Sequence, residues 1–127
     1  KELGIPTLVW MTPILPFIND TRENIEGLLD YCLQAGVQGI LLFDVGVTLR
    51  DGDREFFYQA LDRDFPGIRQ KYVHTYGNAY DIPSPHAKEL MALIRNTCSA
   101  NSILCSPKEC FAYLNEFPKR YVQQTLF

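Results

Sequence analysis

Four cysteines and two histidines are the residues of this chain most suited to bind a metal. Cys105 and Cys110 are separated by four residues, a spacing that matches none of the common zinc or iron–sulfur motifs. Cys32 and Cys98 lie among apolar residues at helical spacing, where a buried free thiol is the usual role. The sequence therefore predicts no metal site and indicates a reduced, intracellular protein.

Other well-known catalytic patterns are missing from the sequence. It contains neither Gly-rich phosphate-binding motif and no Gly-x-Ser-x-Gly nucleophile elbow. His74 and His86 have no partner at motif spacing, which favours a surface position for both. Residues 51–55 resemble a calcium loop, but Phe56 stands where that loop needs glycine. Acids that stabilise a helix N-terminus are the better explanation of this segment.

The strongest candidates for ligand binding follow two predicted strands. Chemistry in parallel α/β sheets and barrels gathers at the C-terminal ends of the strands. The alternative is that the prolines only terminate a strand and that Arg50 pairs with a nearby acid. The candidate residues in the two loops are Thr12, Pro13 and Asn19, and Asp44, Gly46 and Arg50.

A predicted βαβ unit positions these two loops. Residues 7–12 and 37–43 are apolar runs typical of buried strands. Between them, Asp20 and Glu23 are expected to form a capping box at the start of an amphipathic helix, which Gly36 ends. The expected fold class is therefore α/β with a right-handed crossover.

Mainly helical segments are predicted after this unit. Residues 44–53 and 78–83 are expected to be loops, and residues 103–105 a short strand. Ser84 is expected to cap a helix with Pro85 at its first position. Further helices are predicted over residues 53–64, from Ile68 toward Gly77, and after a capping box formed by Ser106 and Glu109.

Two parallel strands alone make an incomplete sheet. Each strand would keep an unpaired edge, which either a missing N-terminal part or self-association should cover. The chain begins with Lys1 rather than Met, and residues 1–4 resemble the last turn of a helix. We therefore expect a piece of a longer protein, with a domain over residues 1–117 and an exposed tail over residues 118–127.

Composition and charge limit the class of function. Hydrophobic residues make up 46% and charged residues 21% of the chain, which is typical of a globular domain. The net charge of −3 disfavours a free-standing nucleic-acid binder. Because there is no signal peptide and no long apolar stretch, the sequence predicts a cytoplasmic protein without a membrane partner.

The strand ends resemble those of a known enzyme family. Residues 5–21 resemble the fifth strand and loop of radical S-adenosylmethionine (radical-SAM) proteins of the spore photoproduct lyase and DNA repair photolyase-like group. Four further segments are similar to the part of the family that follows its sixth strand. They are residues 46–50, 54–58, 65–67 and 72–77. The similarity covers essentially the whole chain in the same order.

This resemblance implies the C-terminal part of a partial (β/α)6 barrel. In the parent enzyme, a 4Fe–4S cluster would cleave S-adenosylmethionine to a radical that abstracts hydrogen from a substrate, with a role in DNA repair. An alternative substrate is a peptide or a small molecule. The family's C-x-x-x-C-x-x-C triad is absent, so the fragment alone is expected to be inactive and to hold no cofactor. It could keep part of the S-adenosylmethionine wall at the two strand ends.

The end of the chain is similar to a second motif. Gln123, Leu126 and Phe127 match the pentapeptide that binds the bacterial DNA sliding clamp. An exposed tail can insert such an apolar pair into a groove while the glutamine forms hydrogen bonds at its rim. A non-catalytic docking module is therefore an alternative to the enzyme fragment.

Overall fold

The computed structural model describes residues 2–116 of the chain. The fold class is α/β, as predicted, and the described residues form five helices and four short strands. In chain order these are β1 (Leu8–Trp10), α1 (Arg22–Ala35), β2 (Gly39–Leu41), β3 (Gly46–Thr48), α2 (Asp53–Asp64), α3 (Ile68–Tyr76), β4 (Asp81–Pro83), α4 (Ala87–Ala100) and α5 (Pro107–Asn115).

A parallel half is formed by β1, α1, β2, α4 and α5. The predicted βαβ unit is confirmed, because β1 and β2 pair in parallel with Leu8 opposite Gly39. Leu104 continues this sheet on the other side of β2. Its N–H donates to the Gln38 carbonyl at 3.0 Å, and its carbonyl accepts from the Ile40 N–H at 2.8 Å. The predicted strand at residues 103–105 is thus reduced to one bridging residue.

The two strands of the parallel half differ in burial. All three residues of β2 are buried, as expected for a strand that is covered on both faces. In β1, by contrast, Leu8 and Val9 are half-buried and Trp10 is 59% exposed. The prediction of a buried strand at residues 7–12 is therefore wrong for β1. The reason is that β1 has β2 as its single strand partner within residues 2–116.

The start of α1 differs from the predicted capping box. Thr21 is the N-cap, and its hydroxyl accepts a hydrogen bond from the Asn24 N–H at 3.2 Å. Asp20 is buried and instead accepts from the Ser84 hydroxyl at 2.5 Å. A capping box of Asp20 and Glu23 is therefore wrong, because Asp20 anchors a distant loop. Gly36 ends the helix in the left-handed region, with φ of 65°.

An antiparallel half is formed by β3, α2, α3 and β4. Gly46 pairs with Pro83 and Thr48 with Asp81, so the segments predicted as loops at residues 44–53 and 78–83 each contain a strand. The close approach of β3 and β4 depends on Gly46. A Cβ atom at this position would lie 2.8 Å from the Cα atom of Pro83, closer than real Cβ contacts.

Each half has its own hydrophobic core. The parallel half packs α1, β2 and α4 around residues such as Ile25, Ile40 and Ile94. The antiparallel half packs α2, α3 and β4 around Leu61, Tyr72, Ile82 and their neighbours. Two separate cores mean that contacts at the junction decide how the halves are held together.

Arg54 holds the antiparallel half together from its surface. This side chain, in the first turn of α2, donates to backbone carbonyls at 2.7–3.4 Å. The four acceptors are Leu49, Gly77, Asn78 and Ala79. Hydrogen bonds from a charged donor are stronger than neutral ones, so Arg54 fixes the chain between α3 and β4 against the end of β3.

The two C-terminal helices begin in different ways. α5 has the predicted capping box, since Ser106 accepts from the Glu109 N–H and Glu109 accepts from the Ser106 N–H. α4 begins at Ala87 rather than at Pro85. The Ser84 hydroxyl accepts from the His86 N–H at 2.9 Å, so Ser84 caps a turn that precedes the helix. In residues 2–116 we find no helix with the length and apolar character needed to cross a membrane.

Candidate functional site

Most of the predicted site residues line a groove at the junction of the two halves. This strand-end groove has a volume of about 710 Å³. It lies beyond the C-terminal ends of β1 and β2 and is closed on one side by the β3–β4 pair. The predicted residues that line it are Thr12, Pro13, Asp44, Gly46 and Arg50.

Asn19, the remaining predicted residue, lies outside this groove. Its side-chain oxygen accepts from the Leu15 N–H at 2.5 Å, and its carbonyl accepts from the Asn24 amide at 2.8 Å. Asn19 lines a second groove of about 520 Å³ beside β1 and α1. In this structure its polar atoms hold the loop between β1 and α1 in shape.

Two aromatic rings form the floor of the strand-end groove at the ends of β1 and β2. Trp10 is 59% exposed and Phe43 is 62% exposed, and their ring centroids are 6.2 Å apart with planes tilted by 53°. Exposed aromatic faces of this kind can stack on a flat heterocycle or attract a cation. Sequence reasoning missed both residues because each lies in an apolar run that was interpreted as a buried strand.

Arg50 and Tyr80 form the polar rim of the groove. The Arg50 Nε–H donates to the Tyr80 hydroxyl oxygen at 3.4 Å. This hydrogen bond, together with one from Thr48, lowers the pKa of the Tyr80 phenol. The sequence left open whether Arg50 pairs with an acid; its side-chain hydrogen bond is to a tyrosine. Tyr80 went unnoticed in the sequence because β4 itself was expected to be loop.

Carboxylates complete the rim. Asp44 accepts a hydrogen bond from the Val45 N–H at 2.7 Å through one oxygen, which fixes the side chain beside the groove. Asp81, in β4, lines the opposite side. The groove therefore presents one guanidinium, two carboxylates, the Tyr80 phenol and the rings of Trp10 and Phe43, a set that suits a ligand with both charges and a flat ring.

The described residues do not fit an iron–sulfur cluster. Within residues 2–116 there is no group of three or more His, Cys, Asp or Glu side chains arranged to hold a metal. Cys32, Cys98 and Cys110 are buried and Cys105 is half-buried. None of them lines the strand-end groove.

Two predicted features lie outside the described residues. Gln123, Leu126 and Phe127, the residues predicted to contact a sliding clamp, belong to residues 117–127. The boundary between a domain and a tail at residue 117 lies at the edge of the described range. Both stay predictions from sequence.

Comparisons with known proteins place the chain among distant relatives. It is 29% identical over 91 residues to an uncharacterized protein of Mycobacterium bovis and to uncharacterized proteins of two Mycobacterium tuberculosis strains. The match covers 72% of this chain and 26% of each relative, so the chain spans about a quarter of their length. No family model and no solved structure matches.

Proposed function

We propose that this chain is the C-terminal part of a radical-SAM barrel enzyme and that the strand-end groove is its share of the S-adenosylmethionine site. The observation that carries the proposal is the set of groups in that groove. Five residues that the resemblance assigned to the cofactor wall line one cavity together with two exposed aromatic rings.

The chemistry of S-adenosylmethionine matches these groups. Trp10 and Phe43 offer faces for adenine stacking and for the sulfonium cation. The Arg50 guanidinium suits the methionine carboxylate, because its planar donors fit two carboxylate oxygens. Asp44 and Asp81 suit the ammonium group and the ribose hydroxyls as acceptors.

The uncovered edge of β1 supports the barrel architecture. A preceding barrel strand would pair with β1, and its helix would cover the second groove, whose lining is mostly apolar, with Val9, Leu28 and Val37 among its members. The described sheet ends where such a strand would begin. An apolar groove beside a strand that has one edge without a partner in the described residues is what an incomplete barrel should leave.

The chemistry of the parent is divided between this chain and the rest of the barrel. An iron–sulfur cluster held by the rest of the barrel would supply the electron for cleavage of S-adenosylmethionine, since the described residues contain no site for it. The role of this chain is to bind and orient the cofactor. DNA repair is the substrate role implied by the resemblance, and the acidic balance of the chain favours the alternative of a peptide or small molecule.

Tryptophan fluorescence tests this proposal directly, because Trp10 is the single tryptophan of the chain and lines the groove. Titration with S-adenosylmethionine should quench its emission with a Kd on the order of 1 mM, since a partial site keeps only some of the contacts. Adenosine should quench more weakly, because it lacks the groups that meet Arg50 and Asp44.

The matched variants are Arg50→Ala and Arg63→Ala. Arg50→Ala should weaken S-adenosylmethionine binding about tenfold, because it removes a charge-assisted contact. Arg63, on α2, is absent from the lining of the groove, so its replacement should leave the Kd unchanged. An unsaturable response, or equal affinities for wild type and Arg50→Ala, would overturn the proposal.

A further inference from the structure

Two cysteines flank the turn where α4 ends and α5 begins. Cys98, in the last turn of α4, is completely buried in the core of the parallel half, and Cys105 packs against that core from its edge. The turn between them is tight, because the Ile103 N–H donates to the Cys98 carbonyl at 2.9 Å. Ser102 takes a left-handed conformation, with φ of 56°, to make this turn.

Cys105 is the accessible member of the pair. It is half-buried and lines a cavity of about 350 Å³ that also contains Arg95 and Glu109. It directly precedes Ser106, the N-cap of α5. A cation and a helix N-terminus beside a thiol both stabilise the thiolate, which is the nucleophilic form.

The two thiols have opposite acidities. The pKa of Cys105 is lowered to about 7, mainly by a hydrogen bond from Cys98 and also by Arg95, while burial and Glu109 act in the other direction. The same interaction raises the pKa of Cys98 far above its usual range, and burial and the thiols of Cys32 and Cys110 add to this effect. The lowered pKa makes Cys105 the thiol that attacks first, and Cys98 is the neighbouring thiol that can resolve its oxidised form.

We propose that Cys98 and Cys105 form a redox-active pair, in which Cys105 is oxidised by hydrogen peroxide and Cys98 resolves the product to an intramolecular disulfide. This site is separate from the strand-end groove and does not depend on the proposed enzyme activity. The small cavity at Cys105 admits an oxidant of this size, whereas Cys98 has no exposed surface.

The reaction balances in two steps. The Cys105 thiolate attacks one peroxide oxygen, the O–O bond breaks, and the leaving hydroxide is protonated to water, which leaves a sulfenic acid on Cys105. The Cys98 sulfur then attacks the Cys105 sulfur, the S–O bond breaks, and hydroxide leaves as water with the Cys98 proton. Two thiols and one peroxide give one disulfide and two waters. A dithiol reductant reverses the change.

The remaining cysteines serve as internal controls. Cys110 is buried, and its thiol donates weakly to the carbonyls of Ile40 and Leu104 at 3.8 Å. Cys32 is also buried, and burial raises the pKa of its thiol. Both are therefore protonated and shielded at neutral pH, and neither should react first.

The test is peroxide treatment of the full chain, followed by alkylation of free thiols and peptide mass spectrometry. Wild type should lose two free thiols and yield a linked pair of peptides that contain Cys98 and Cys105. Dithiothreitol should restore both thiols. Cys32→Ser should behave like wild type, because Cys32 takes no part in the reaction.

The single variants separate the two roles. In Cys98→Ser the oxidation should stop at a sulfenic acid on Cys105, which a 1,3-diketone reagent traps. In Cys105→Ser the three remaining thiols should stay free. Circular dichroism checks that each variant is folded, and the wild-type peptide map needs no variant at all. A disulfide between another pair, or four free thiols in peroxide-treated wild type, would overturn the proposal.

Discussion

The parallel and antiparallel halves of the molecule are stabilised by different contacts. The parallel half is built from apolar runs and a long amphipathic helix, and its β2 strand is buried throughout. The antiparallel half is built from two strands and two helices, and its strands are held together through Gly46 and Arg54. Both halves therefore have a buried core, and the antiparallel half depends in addition on a close backbone approach and on hydrogen bonds from one arginine.

The strand-end groove is lined by residues of both halves, which hydrogen bonds of Ser84 join to each other. The Ser84 N–H donates to the Val45 carbonyl at 2.8 Å, and the Ser84 hydroxyl donates to the buried Asp20. Trp10 and Phe43 come from the parallel half, whereas Arg50 and Tyr80 come from the antiparallel half. Any change that loosens the antiparallel half should therefore open the groove while the parallel core persists.

The largest expected effect is that of Gly46→Ala. The added methyl group would collide with the backbone of Ile82 and Pro83, so β3 and β4 would have to separate. We expect a loss of about 3 kcal/mol in the free energy of unfolding, measured by urea denaturation. Gly27→Ala is the control, because its Cβ meets nothing within 4 Å and alanine in a helix adds about 0.5–1 kcal/mol. Equal stabilities of the two variants would show that the close approach is unimportant.

Arg54→Ala should have the next largest effect. It removes the side-chain donors that hold Leu49 to the segment before β4, and we expect a loss of about 2 kcal/mol. Hydrogen exchange should show faster opening of β3 and β4 with little change in β2. Arg63→Ala, which breaks only an exposed pair with Asp64, should leave stability unchanged. Uniform acceleration across both halves would contradict the separation of the two cores.

Tyr72→Phe tests a contact that joins the halves. The buried Tyr72 hydroxyl donates to the Pro16 carbonyl at 2.8 Å, and its removal leaves that buried carbonyl without this donor. We expect a loss of about 1–2 kcal/mol in thermal or urea unfolding. Tyr76→Phe is the matched control, since its hydroxyl bonds to an exposed carbonyl of Pro83 that water can satisfy. A larger loss of stability in Tyr76→Phe would show that the Tyr72 hydrogen bond to Pro16 is not the more important of the two.

The smallest effect concerns the acidity of Cys105 in the parallel half. Because the pKa of Cys105 is lowered to about 7, its alkylation rate should rise as the pH increases through 7 and level off above that value. Arg95→Gln removes a cation that favours the thiolate, so the midpoint should move to higher pH. Lys88→Gln, at the other end of α4, should leave it in place. An unchanged midpoint in Arg95→Gln would show that Arg95 does not stabilise the Cys105 thiolate.

The sequence predicts the parallel half well because its signals are local. The periodicity of α1, the left-handed Gly36 and the capping box at Ser106 each depend on residues that are close together in the chain. Asp20 is the exception. It is a residue type that often caps helices, but its side chain bonds to Ser84, which is 64 residues away. A tertiary hydrogen bond overrides the local preference there.

The antiparallel half and the thiol pair could not be predicted because their signals are not local. The strands β1 and β2 lie within longer apolar runs, whereas β3 and β4 lie in segments with many polar residues. In addition, β4 contains a proline, which argues against a strand in a sequence interpretation. The spacing of the cysteines in the sequence indicates only whether they match a metal motif. The pairing of Cys98 with Cys105 depends on the turn at Ser102, which the sequence does not reveal. For the candidate site, the strand-end rule found Asp44 and Arg50 but missed Tyr80, Asp81 and the aromatic floor.

Chemical-shift mapping by NMR with S-adenosylmethionine tests the central claim most directly. At millimolar ligand, the Trp10 indole, the Gly46 amide and the Arg50 side chain should shift together in a saturable way. The amide signal of Gly27, on α1, should not shift, because Gly27 does not line the strand-end groove. Shifts confined to the second groove beside β1, or no saturable shift at all, would contradict the assignment of the strand-end groove as a cofactor wall.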